Sequence, residues 1–140
     1  MDLFAYKKVL VPINRDRTHW ALAVIDVEAR TVAFLDSLRG RGGDVVEALC
    51  KYMSDEWADK HQGQPLPGEP FTGAPAPPLL PIQRNGVDCG AFLCAFCELL
   101  VRGVEPTEDV FTQENIGYWR QRILLTCLGQ GGAPRVLDTV

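Results

Sequence analysis

The chain has 140 residues, enough for one domain with a real hydrophobic core. With 46% hydrophobic and 23% charged residues it has an ordinary globular composition. A net charge of -4 argues against nucleic acid as the main ligand, because phosphate binding calls for a basic face.

Taken in chain order, Lys7 to Ile13 (KKVLVPI) is a short β-branched run closed by the polar NRDRT. His19 to Val27 and Thr31 to Leu38 flank Glu28-Ala29-Arg30, a connection short enough for a hairpin. Both runs are apolar at consecutive positions, which predicts central strands covered on both faces. Gly40 to Gly43 (GRGG) breaks the pattern.

From Asp44 to Lys60 the period becomes helical. Val45, Val46, Leu49, Cys50, Met53 and Trp57 make one stripe, and Asp44 is the expected N-cap. Residues 61 to 81 hold seven prolines and almost no regular pattern, so a long loop is expected. Gly90 to Val101 is apolar nearly all round, interrupted by Glu98, which predicts a central buried helix ended by Arg102-Gly103. A last amphipathic helix is predicted from about Thr112 to Leu128, with Ile116, Trp119, Ile123, Leu124 and Cys127 inward. The domain is expected to occupy 1–128, followed by a flexible tail over 129–140.

No apolar run approaches a membrane span, and the start MDLFAYKKVL lacks the pattern of a signal peptide. The five cysteines are an odd count, and three fall within nine residues on one predicted helix. Reduced thiols, in the nucleus or cytoplasm, fit this better than a disulfide framework. Cys94-Ala95-Phe96-Cys97 has a metal-ligand spacing, but no second pair accompanies it, so packing on the helix is the expected role and no metal or cofactor is expected.

Cys89 stands between an acid and a glycine where loop gives way to helix. A cysteine nucleophile reacts as thiolate, and a helix N-terminus favours that anion. It also needs an imidazole to take its proton and return it to the leaving amine. The two histidines are His61, at the mouth of the proline-rich loop, and His19, at a strand start. Asp36, at the end of the strand paired with that of His19, is placed to fix an imidazole's tautomer.

THWALAVID, FLDSL and QRNGVDCGAF occur in that order, giving His-Trp, then Asp-Ser, then a Gln followed after five residues by Cys-Gly. Together with VLVPIN, DSLRG and FTQENIGYWRQRIL they resemble the SUMO-specific proteases of the ubiquitin-like-protein protease family, over nearly the whole chain. The resemblance implies an α+β, papain-like cysteine protease fold: a central helix carrying Cys89, packed on a mixed or antiparallel sheet with flanking helices. It implies Cys89 as nucleophile, His19 as general base, Asp36 as its orienting partner and Gln83 as a side-chain donor of the oxyanion hole. Trp20 is similar to the indole covering the tunnel for the substrate's Gly-Gly end, and Gly86 and Gly90 are expected to let substrate approach the backbone closely.

The implied reaction cleaves the peptide or isopeptide bond after the C-terminal Gly-Gly of SUMO, with SUMO or its conjugates as partners of a monomer. The family's domain is longer upstream of His19, so the chain corresponds to its C-terminal part, and some core surface is expected to be exposed. Three alternatives stay open: a protease for a Nedd-type modifier, an acyltransferase of the same clan, and a weakly active SUMO-binding fragment.

Overall fold

In the computed structural model residues 1–129 are described. Beyond Gly129, the expected loose tail lies outside the described residues. Strands β1 (Lys8–Arg15), β2 (His19–Asp26), β3 (Thr31–Leu35) and β4 (Thr72–Ala74) form one sheet in that order. The pairings β1–β2 and β2–β3 are antiparallel, and β4 runs parallel to β3. Three helices complete the fold: α1 (Gly43–Lys60), α2 (Cys89–Val101) and α3 (Ile116–Cys127), the last preceded by a 3-10 turn at Gln113–Asn115.

Side-chain alternation explains how both faces of β2 are covered. Leu22 and Val24 point one way, into a core with Phe92 and Phe96 of α2 and Trp119 of α3. Ala21, Ala23 and Ile25 point the other way, towards the α1 side and Met53. Residues 21 to 25 are therefore buried without a break, as their consecutive apolar run predicts. Glu98, the polar interruption in α2, accepts from Arg122 Nε of α3 at 2.6 Å and also pairs with Arg102, so it joins the two helices.

Several expectations need correction. Asp44 is not the N-cap of α1: Gly42 holds that position, and the Asp44 carboxylate is taken by Arg15 of β1, at 2.8 and 2.7 Å from one guanidinium nitrogen. A tertiary ion pair has outcompeted the local cap. The third strand stops at Leu35, so Asp36 begins the turn beyond it. The proline-rich segment is not structureless. It contains β4, it buries Phe71, and Arg30 donates to its carbonyls at Pro67 and Glu69, both at 2.5 Å. Finally, Leu124 and Cys127 of α3 are exposed rather than inward, with Leu124 at 58%.

Candidate active site

The antiparallel register pairs Leu22 with Leu35 and Ala23 with Phe34. Continued one step, it sets Asp36 opposite Ala21, so Asp36 and His19 are diagonal neighbours at one end of the sheet. There His19 Nε2 lies 2.7 Å from Asp36 Oδ1. A carboxylate oxygen accepts, so the ring proton belongs on Nε2 and Nδ1 keeps a free lone pair. The same Oδ1 accepts from the Leu38 N–H at 2.8 Å, which anchors the buried carboxylate in its turn. Gly40 closes the back of this cradle: a β-carbon there would sit 2.3 Å from Asp36 Oδ2. Within the GRGG break, then, one glycine makes room for the carboxylate.

Cys89 is the first residue of α2 and is buried. The loop before it is shaped by Asn85, whose Oδ1 accepts from the N–H groups of Val87 at 3.0 Å and Asp88 at 3.1 Å. Such a side-chain-capped turn delivers the chain to the helix start. A β-carbon on Gly90 would lie 3.9 Å from Trp20 Cδ1, so the head of α2 sits against the head of β2. Among the described residues no hydrogen bond joins the Cys89 thiol to His19. Catalytic hydrogen bonds are often long before substrate arrives.

Gln83 is also buried, and its amide orientation is fixed from both sides. Oε1 accepts from Ser37 Oγ at 2.6 Å, and Nε2 donates to the carbonyl of Asn85. Exchanging the amide oxygen and nitrogen would set oxygen against that carbonyl, so the assignment is unambiguous. One N–H of Nε2 is left uncommitted. The Gln83 backbone N–H donates to Ser37 O at 3.0 Å, so the turn after Asp36 and the loop before Cys89 are stitched together twice.

The sequence reading missed Asp88, Gln113 and Arg120. Asp88 is 4% exposed and its carboxylate accepts from Asn85 Nδ2 at 2.7 Å, Gln113 Nε2 at 2.8 Å and Arg120 Nε at 2.8 Å. The Asn85 hydrogen bond first, then those of Gln113 and Arg120, hold its carboxyl below the usual range. Gln113 also accepts from the Arg84 N–H at 2.7 Å and so bridges two points of the loop. The signal was present in DCG and FTQENIGYWRQRIL, but nothing in either block says that the two meet.

Trp20 is 42% exposed, so it is not a core tryptophan. Gly86 is exposed with open space around it. From Trp20 and Gly90 a groove of about 630 Å³ runs past Leu93 and Cys94 to Ile123, Leu124 and Cys127, with Arg120 as its charged member. His61 is engaged elsewhere: its ring stacks on Trp57 at 3.7 Å, and its Nδ1 lies 2.9 Å from Trp57 O at the end of α1. Cys97 is half-buried, and burial pushes its thiol up to about 11, which suits a packing role.

A helix-initial cysteine, a histidine at the head of the adjoining sheet and a carboxylate in the turn beyond its third strand place the chain among α+β proteins of the papain kind. Residues 1–129 match the Ulp1 protease family, C-terminal catalytic domain, and the chain belongs to that family. It is 36% identical over 126 residues to a sentrin-specific protease of Caenorhabditis elegans, covering 89% of this chain and 17% of that one. Against human sentrin-specific protease 2 it is 32% identical over 130 residues, covering 93% and 21%. The catalytic domain of the Chaetomium thermophilum Ulp1-like SUMO protease superposes with a TM-score of 0.78 at 31% identity, over 97% of this chain and 51% of that one. The C-terminal Ulp1 protease domain, solved in complex with Smt3, the yeast ortholog of SUMO, shares the fold with a TM-score of 0.69 at 22% identity, over 93% and 56%. The chain thus spans about half of these solved domains and about a fifth of the curated relatives.

Proposed function

We propose that this chain carries the chemistry of a thiol protease that cleaves after the C-terminal Gly-Gly of SUMO, from precursors or from conjugates inside the cell. Cys89 attacks the carbonyl carbon as thiolate, His19 takes the proton on Nδ1 and later gives it to the leaving amine, and Asp36 holds the imidazole by Nε2. The oxyanion is stabilised by the free N–H of Gln83 Nε2 and the backbone N–H of Cys89. Trp20 covers the diglycine, with Gly86 and Gly90 at its path. The observation that carries this reading is the 2.7 Å contact between His19 Nε2 and Asp36 Oδ1 in a chain of this family. A SUMO-derived Gly-Gly vinyl sulfone tests it. Labelling is expected at Cys89 and lost in Cys89→Ser, whereas continued labelling of that variant at Cys94 or Cys97 removes the assignment. The same electrophile built on a Nedd-type modifier decides between modifiers.

A second reading is favoured by the exposed apolar groove. On it the chain binds SUMO with weak turnover. Saturable SUMO binding without labelling of Cys89 is its expected signature.

A further inference from the structure

A buried carboxylate stands at the helix start that carries Cys89. Asp88 is buried, directly precedes Cys89, and is held in its charged form by Asn85, Gln113 and Arg120. The thiolate of Cys89 needs the same positive end of α2, and an uncompensated carboxylate beside it opposes its formation. The cation paired with Asp88 is Arg120 of α3. Its Nε donates to Asp88 Oδ1 at 2.8 Å, a terminal nitrogen donates to the same oxygen, and that nitrogen also reaches Val87 O at 3.2 Å. Among the described residues, His19 and Asp36 pair with each other, and Arg84 of the loop before α2 pairs with Glu114.

We propose that Arg120 is a positioning residue for the nucleophile: it cancels the Asp88 charge at the head of α2 and leaves the helix end to the Cys89 thiolate. This rests on Cys89 being the nucleophile. The geometry fits the role, because Arg120 comes from a separate helix and lies along the groove with Trp20 and Gly90, so it reaches the helix head from the side. Charge compensation of this kind acts on the thiolate population and needs no contact with substrate.

The test is iodoacetamide alkylation of the 140-residue chain at pH 7, read on the Cys89 peptide. Arg120→Ala is expected to slow Cys89 alkylation about tenfold, the change in thiolate population produced by one unit of differential charge stabilisation. Arg120→Lys should recover most of the rate. Adding Asp88→Asn to Arg120→Ala should recover it as well, although that variant restores no bond to the loop, so mere slackness would not be cured. Wild-type alkylation in Arg120→Ala, or a double variant as slow as the single one, overturns the proposal. Asp88→Asn alone keeps the test open should Arg120→Ala fail to fold: Cys89 is expected to react at least as fast as in wild type, and a slower reaction overturns the proposal. If the SUMO-derived vinyl sulfone ignores Cys89 while the alkylation rates follow this pattern, the nucleophile reading fails and the charge compensation stands.

Discussion

Ser37 Oγ donates to Gln83 Oε1 at 2.6 Å, and both side chains are buried. The bond links the residue after Asp36 to the amide proposed for the oxyanion hole, so the two proposed catalytic roles share one support. Ser37→Ala leaves the Gln83 oxygen without its partner, at a cost of about 1–3 kcal/mol in stability. It is expected to lower kcat less than Gln83→Ala, for which about a hundredfold loss or more is expected. Chemical denaturation and single-turnover cleavage of a SUMO-derived substrate measure the two effects. If Ser37→Ala loses stability and keeps full kcat, the proposed coupling is wrong.

His19 and Asp36 should behave as one unit. The double alanine variant is expected to be no slower than His19→Ala alone, and His61→Ala should keep its activity. Gly40→Ala provides an indirect probe of the same pair, because its β-carbon would fall 2.3 Å from Asp36 Oδ2. Displacing the carboxylate by even an ångström should cost on the order of a hundredfold in rate, with a cooperative unfolding transition retained. Unchanged labelling kinetics in Gly40→Ala would show that the carboxylate tolerates movement.

Asp88 makes stability depend on acid. Its carboxyl is held below the ordinary value of 3.8 in the folded chain, so between the two values the unfolded chain binds more protons. The stabilisation is complete above the unfolded value and is lost as pH falls through the folded one. Urea midpoints measured from pH 6 to pH 2 should fall more steeply in wild type than in Asp88→Asn. Parallel curves would mean that the exposed ion pairs dominate acid sensitivity.

Phe71 should hold the proline-rich segment to the body of the protein. It is 5% exposed and packs with Ile25, Val32 and Met53. Phe71→Ala is expected to cost about 3–5 kcal/mol and to open residues 61–81 to limited proteolysis. Rapid cleavage there in wild type would contradict the anchoring that Arg30 and β4 provide.

Much of this arrangement is legible before any coordinates, because burial leaves a periodic trace. The unbroken run from Ala21 to Ile25 marks a strand covered on both faces, and the apolar α2 marks a helix between layers. His19, Asp36, Gln83 and Cys89 are singled out by the family resemblance of their motifs, and the first two meet as hydrogen-bonded neighbours. What stays hidden depends on contacts distant in sequence. Asp44 reads as a cap until Arg15 claims its carboxylate. Thr72–Ala74 is too short, and too hemmed by prolines, to show a period. The spacing of Leu124 and Cys127 names a face of α3 without saying whether anything covers it. Gly40 looks like a chain breaker, and only the neighbouring carboxylate shows why a side chain is refused.

Pro12 lies within β1, the outermost strand, and the β1–β2 register runs through it unbroken from Lys8 to Arg15. Its missing N–H therefore faces away from β2, where a proline is tolerated. At the opposite margin β4 offers only three residues. One border of the sheet thus lacks a donor midway and the other is too short to template an added strand. Self-recruitment into fibrils or swapped dimers is disfavoured along both borders.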